Sequence, residues 1–122
     1  MQPEKITTKS REEKIALIVE GMRSALMVRI QFDAILRILG GDGVLFDKIF
    51  RTLNYEKMGK KMAFLTQSVI AESIVDEIVD DFSEAGIDKL IELHKEEIIN
   101  NICARLNYDS KSNHISIDGE IF

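Results

Sequence analysis

The sequence contains one cysteine, Cys103, and one proline among its 122 residues. A single thiol cannot form a disulfide within the chain, so we expect a reducing, cytoplasmic setting. One proline and seven glycines favour a helical protein with few turns. With 45% apolar and 30% charged residues, the composition is typical of a globular domain and not of a disordered chain.

Long apolar runs are also absent from the sequence. The longest, Ile15–Val19 and Ala25–Val28, are interrupted by Glu20, Arg23 and Arg29. A membrane span needs about 20 consecutive apolar residues, and the polar, charged start of the chain differs from a secretory signal. The sequence therefore predicts no membrane partner.

Recognisable catalytic patterns are missing as well. Serine, histidine, aspartate and cysteine do not occur at a spacing typical of nucleophilic catalysis. The glycines at 40–43 lack both the preceding strand and the Gly-Lys-Ser/Thr ending of a phosphate loop. His94 falls on the apolar face of a predicted helix, as a core histidine would. We therefore predict no catalytic, cofactor-binding or metal-binding residues, and a protein that is not an enzyme.

The main element that the sequence predicts is one long helix, Ser10–Leu39. Ser10 and Glu13 form a capping-box pattern at its start. Gly40 and Gly41 suit its end, because glycine readily adopts the left-handed conformation that terminates helices. A helix of roughly 30 residues is about 45 Å long, whereas a globule of this size is roughly 35 Å across.

Two neighbouring apolar stripes run along the surface of this predicted helix. The first stripe comprises Leu17, Gly21, Ala25, Val28, Phe32, Ile35, Leu36 and Leu39. The second comprises Ile15, Val19, Met22, Leu26 and Ile30. A helix that is apolar on two sides needs two covers. We predict that the second stripe forms an oligomer interface with another copy of the chain, giving a homodimer.

The remaining helices are shorter and amphipathic. Apolar periodicity predicts one from Val44 to about Leu53, capped by Asp42, a second from near Gly59 to Glu84, and a third from Asp88 to about Leu106. The predicted fold is therefore mostly α: a four-helix bundle-like domain over 10–106, built around the long N-terminal helix. A flexible N-terminal arm, 1–9, precedes it, and a loop with a small C-terminal β-hairpin, 107–122, follows it.

The C-terminal hairpin is predicted from a change in period. His114–Ile117 and Glu120–Phe122 flank Asp118-Gly119, which suits a two-residue type I′ turn. That turn places Ile115 opposite Phe122 and Ser116 opposite Ile121. Strands this short need further cover, from a strand at Leu106–Tyr108, from the helices or from another chain.

Charge is distributed unevenly along the chain. The net charge of −5 divides into +4 over residues 1–62 and −9 over 63–122. One helix face is predicted to carry carboxylates at every fourth position: Glu72, Asp76, Asp80 and Glu84. Like charges at this spacing repel, and acids at a helix C-terminus oppose the helix dipole. Three interpretations remain open: a solvated face, a face that docks a basic surface of this chain or of a partner, and a divalent-metal site.

The metal interpretation has a short resemblance behind it. Glu77-x-x-Asp80 is similar to the ExxD half-motif of the all-α nucleotide pyrophosphatases, which bind magnesium with carboxylates from two helices. The companion EExxE motif is incomplete: Glu12 and Glu13 match its first two acids, but Ala16 stands in the position of the third. The resemblance implies, as an alternative function, a small carboxylate- and magnesium-dependent nucleotide hydrolase.

A basic cluster gives a further alternative. Its residues are Lys48, Arg51, Lys57, Lys60 and Lys61. They could shield helix ends or bind a phosphate backbone, as in a nucleic-acid-associated regulator, although the acidic net charge argues against a general nucleic-acid binder. The function that we favour is a non-enzymatic interaction or regulatory protein. It would self-associate through its long helix and offer the acidic face to a basic protein partner.

Overall fold

The computed structural model describes residues 9–52 and 55–122, and for Tyr55 the backbone alone. Within these ranges the protein is mostly helical, with a small antiparallel sheet at the C-terminal end. The helices are α1 (Arg11–Gly21), α2 (Ser24–Ile38), α3 (Gly43–Phe50), α4 (Tyr55–Ile74), α5 (Glu84–Leu93) and α6 (Lys95–Cys103). The strands are β1 (Leu106–Asp109), β2 (His114–Ile117) and β3 (Glu120–Ile121). The predicted arm lies outside the described residues except for Lys9.

The predicted single helix over Ser10–Leu39 is wrong, because the chain bends between α1 and α2. Met22 and Arg23 are extended, with ψ angles of 138° and 132°. Gly21 packs closely on the segment that leads into α5: a Cβ there would lie 3.3 Å from the carbonyl oxygen of Phe82 and 2.6 Å from Cδ1 of Ile87. The bend lets both helices turn an apolar side to one core, which a straight rod could not do.

Helix starts that depend on local capping are confirmed. The Ser10 hydroxyl accepts a hydrogen bond from the amide of Glu13, whose carboxylate accepts one from the Ser10 amide. Asp42 accepts hydrogen bonds from the amides of Val44 and Leu45 and begins α3. Each such cap stabilises its helix by about 1 kcal/mol. Leu53, the predicted end of α3, lies outside the described residues.

The predicted helix from Gly59 to Glu84 is also wrong in its second half. Regular α-helix ends at Ile74, a 3₁₀ turn covers Val75–Glu77, and α5 begins at Glu84. Val75 and Ile78 are both buried along this path. Ser83 then caps α5 by accepting a hydrogen bond from the amide of Gly86, so this glycine lies in a first turn and does not end a helix.

The predicted helix from Asp88 to Leu106 is interrupted at His94. This residue has φ −104° and ψ 16° and separates α5 from α6. The interruption redirects the chain so that Ile91 before it and Ile98 after it are both buried. The predicted helices 10–39 and 88–106 are each divided into two, so the described residues contain six α-helices where four were predicted.

The C-terminal strands agree with their prediction. Strands pair antiparallel in the order β1-β2-β3, and Ser116 lies opposite Ile121 as expected. The amide of Phe122 donates to the carbonyl oxygen of Ile115 over 2.9 Å. Asp118 and Gly119 have φ angles of 51° and 87°, as a type I′ turn requires. Two of the predicted covers are present in the described residues: β1 pairs with the hairpin, and Ile115 and Ile117 are buried in the core that the helices form.

The core is rich in isoleucine, and α4 lies at its centre. This helix contacts α1, α2, α5 and α6. Its buried side chains are Met58, Met62, Leu65, Thr66, Val69, Ile70, Ala71 and Ile74. Across the described ranges, none of the helices combines the length and apolarity that crossing a bilayer requires.

Candidate functional site

The predicted oligomer interface does not form a single surface. Ile30 is completely buried and therefore cannot face a second chain. Ile15, Val19, Met22 and Leu26 are half-buried and pack against the core. The bend at Met22 also places the first two on α1 and the last on α2, so the five residues are not one continuous stripe.

A different part of α2 is exposed. Val28 and Phe32 retain 44% and 37% of their accessible surface, although the sequence placed both on the stripe presumed to enter the core. With Leu36 they are spaced four residues apart, so the three lie along one side of the helix. Phe46 of α3 packs beside them. We call Val28, Phe32, Leu36 and Phe46 the α2–α3 surface.

Three phenylalanine rings hold this surface together. The ring centroid of Phe32 lies 5.7 Å from those of both Phe46 and Phe50, which stack on each other at 5.3 Å. Such ring pairs add about 0.5–1.5 kcal/mol each beyond the area they bury. Between the helices lies an open groove of about 320 Å³, lined by Phe32, Asp33, Leu36, Gly43 and Phe46.

Charges of both signs border the α2–α3 surface. Arg29 is exposed and makes no ion pair within the described ranges. Asp33, one turn further along α2, lies 3.8 Å from the ammonium group of Lys95, which is a long contact for an ion pair. An arginine and a carboxylate on the same helix are therefore both open to an additional partner.

The acidic residues predicted to share one helix face lie on separate elements. Glu72 is in α4, Asp76 in the 3₁₀ turn, Asp80 at a bend after that turn and Glu84 at the start of α5. The predicted acidic helix face is therefore wrong as a geometric feature. What makes the acidic positions tolerable is the path of the chain, which separates carboxylates that a regular helix would stack.

Arginines of this same chain occupy most of these carboxylates. Arg11 donates to Glu72 over 2.8 Å and to Asp76 over 2.7 Å, and these two bonds raise the pKa of its guanidinium. Arg23 lies 3.7 Å from Glu84 and forms an ion pair with the carboxylate of Asp88 at 2.6 Å. The geometry agrees with docking on the chain's own first half, and Glu72, Asp76 and Glu84 also remain exposed to solvent.

The residues of the ExxD resemblance are separated too. Glu77 ends the 3₁₀ turn and contacts His94, whereas Asp80 lies at a bend between that turn and α5. The motif places its carboxylates on one helix, and here no helix carries both. Within the described ranges no group of three or more His, Cys, Asp or Glu side chains is placed to hold a metal ion.

His94 and Cys103 have structural surroundings. His94 is partly buried at the boundary between α5 and α6 and lies between the carboxylates of Glu77 and Glu97. The Cys103 thiol donates to the carbonyl oxygen of Ala34 over 3.3 Å, and burial raises its pKa. A thiol whose pKa is raised is a poor nucleophile at neutral pH.

The predicted basic cluster is divided between two places. Lys57, Lys60 and Lys61 line a groove of about 540 Å³ between α4 and the hairpin, whereas Lys48 of α3 and Arg51 just after that helix do not belong to its lining. Phe64 lies in the same groove with 71% of its surface exposed. Sequence reasoning missed this aromatic residue, although it follows Lys57 and Lys60 at the helical spacings of seven and four.

The hairpin supplies the other side of this groove. Glu120 contacts Lys61 at 3.2 Å and Lys57 at 3.7 Å. Arg105 forms a two-pronged pair with Asp118, at 2.8 and 2.6 Å, which lowers the pKa of that carboxyl. We call this feature, with Lys60 and Phe64, the α4–hairpin groove. Its four basic and two acidic side chains leave a local charge of +2 on an acidic protein.

The chain matches no protein-family model, and no curated protein or solved structure is significantly similar to it. The α2–α3 surface and the α4–hairpin groove are thus the two features from which function can be argued.

Proposed function

We propose that this protein is a non-enzymatic interaction protein that self-associates through the α2–α3 surface. The observation that carries the proposal is the partial exposure of Val28 and Phe32 beside an apolar groove. In the described part of the chain most of the other large apolar side chains are buried, including Ile30 and Ile35 on the same helix. Exposed aromatic and aliphatic side chains that are contiguous are typical of protein interaction sites.

The occupant that fits this surface is a second copy of the chain. Val28, Phe32 and Leu36 form a stripe that is symmetric about its middle residue. In an antiparallel pair of α2 helices, Val28 of each copy would therefore pack on Leu36 of the other, and the two Phe32 rings would meet. Symmetric, self-complementary surfaces of this kind are the usual basis of homodimers.

Charge supports the same arrangement. Arg29 and Asp33 lie one helical turn apart on α2, three residues before and one residue after Phe32. Reversing the direction of a second α2 brings an arginine of one copy near the carboxylate of the other. An ion pair between the two copies at the rim of the interface contributes mainly to orientation and specificity.

The stripe alone is too small for a stable dimer. A standard interface removes about 800 Å² from each partner, so α3 must contribute as well. Phe46 is already part of the surface, and Val44 at the start of α3 is 81% exposed. We therefore expect both helices of each copy to enter the interface.

The experiment is to measure solution mass by light scattering for the wild type, Phe32→Glu and the control Leu93→Glu. Leu93 is 71% exposed on α5, outside the proposed interface. A chain of 13.9 kDa gives a dimer of twice that mass. We expect dimers for the wild type and the control and monomers for Phe32→Glu, with cooperative thermal unfolding in all three. A wild-type mass of one chain at about 100 μM, roughly a hundredfold above a micromolar Kd, would reject the proposal.

A further inference from the structure

The α4–hairpin groove has a composition that self-association does not explain. An exposed phenylalanine lies among Lys57, Lys60, Lys61 and Arg105 on one side of a protein whose net charge is −5. Lys60 makes no ion pair, and the ring of Phe64 makes no aromatic or cation–π contact, with any residue in the described ranges. Both a cationic and a stacking group are thus available to a ligand.

We propose that this groove binds single-stranded nucleic acid. Proteins that bind single strands combine a positively charged groove, which follows the phosphates, with aromatic side chains on which bases stack. Here Lys60 and Lys61 would contact phosphates, and the exposed face of Phe64 would receive one base. Because Lys60 precedes Phe64 by one helical turn, the cation and the ring lie on the same side of α4.

The two carboxylates of the groove favour a nucleic acid over an acidic peptide. Asp118 and Glu120 would repel peptide carboxylates and phosphates alike at close range, so the preference depends on the other groups that the ligand carries. Nucleobases carry N–H donors that carboxylates accept, as in the pairing of glutamate or aspartate with the amino group of cytosine. A groove with both cations and carboxylates therefore suits a ligand with phosphates on one edge and donors on the other.

The groove also has a defined shape before any ligand arrives. Arg105 is held by both oxygens of Asp118, and Glu120 is held by Lys61. The Lys61–Glu120 contact joins α4 to the hairpin, and the Arg105–Asp118 pair ties the β2–β3 turn to the residue before β1. A preformed site loses less conformational entropy on binding than a flexible one.

The test is fluorescence anisotropy with a labelled 12-nucleotide oligothymidylate and, separately, a labelled oligocytidylate. We expect Phe64→Ala to weaken binding by about fivefold or more, the effect of losing one base–aromatic stack. Lys60→Glu should weaken it further. The matched controls are Leu93→Ala, whose side chain is as exposed as that of Phe64, and Lys111→Glu, on the turn before β2. Both should bind like the wild type.

Salt dependence identifies the phosphate contacts. With about two phosphates neutralised on a single strand, affinity should fall roughly sevenfold between 50 and 200 mM salt. Absence of binding at 50 mM salt, or binding that Phe64→Ala and Leu93→Ala alter equally, would overturn the proposal. Equal binding of a labelled oligoglutamate, with the same dependence on Phe64, would assign the groove to an acidic peptide and overturn it as well.

Discussion

Replacing Gly21 by alanine tests the bend between α1 and α2. On a continuous helix this change would be stabilising, because alanine favours a helix interior over glycine by about 1 kcal/mol. In the structure the new Cβ would lie 3.3 Å from the backbone oxygen of Phe82 and 2.6 Å from Cδ1 of the fully buried Ile87. Something must therefore move in a packed region.

The two effects have opposite signs, so the measurement discriminates between them. Overpacking of a core costs about 1–3 kcal/mol, which exceeds the gain in helix propensity. We expect Gly21→Ala to lower the free energy of unfolding by about 1 kcal/mol after both effects are combined. Urea-induced unfolding followed by circular dichroism would measure this, with an unchanged dependence on urea showing that the unfolded state is unaltered.

Gly59 provides a matched control for this substitution. It lies within α4, and a Cβ there would meet nothing within 4 Å in the described part of the chain. Gly59→Ala should therefore raise the free energy of unfolding by about 0.5–1 kcal/mol. If Gly21→Ala stabilised the protein as much as Gly59→Ala does, the packing that we assign to the bend would be refuted.

Two further predictions concern a buried hydroxyl and an ion pair. Thr66 is completely buried, and its hydroxyl has no hydrogen-bond partner in the described ranges, so Thr66→Val should stabilise the protein by about 1 kcal/mol in the same urea assay. The hydrogen bonds from Arg105 lower the pKa of Asp118 in the folded protein. The stabilisation that this ion pair gives the fold is therefore fully present above the pKa of an aspartate in the unfolded chain, about 3.9, and is lost as the pH falls through the lower pKa of Asp118 in the folded protein. We expect the stability difference between the wild type and Arg105→Met to be constant from pH 7 to about 5 and to shrink towards pH 2; a difference that grows on acidification would contradict this assignment.

Much of the local structure could be predicted from residues within a few positions of one another. The Ser10 capping box, the Asp42 cap and the Asp118-Gly119 turn each depend on contacts over two to four residues. These are the features that the structure confirms. The energy that decides them, about 1 kcal/mol each, is available before the chain folds.

The apolar spacing determined that the chain would be mostly helical, but not where its helices would end. The period of the pattern continues unchanged through Met22 and His94, because the helices before and after each interruption face the same core. A bend removes backbone hydrogen bonds from the helix. The burial of side chains such as Ile78 and Ile87 offsets this loss. That compensation depends on neighbours distant in sequence.

The candidate sites depend most strongly on tertiary structure. Periodicity placed Val28 and Phe32 on an apolar stripe, but only the packing of α2 decided that Ile30 would be buried and these two exposed. The acidic residues could be identified in the sequence, but their partner could not, because Arg11 is separated from Glu72 and Asp76 by 61 and 65 residues. The α4–hairpin groove likewise joins Lys57 to Glu120. The sequence by itself determined which side chains could bind, and long-range packing decided which of them face solvent together.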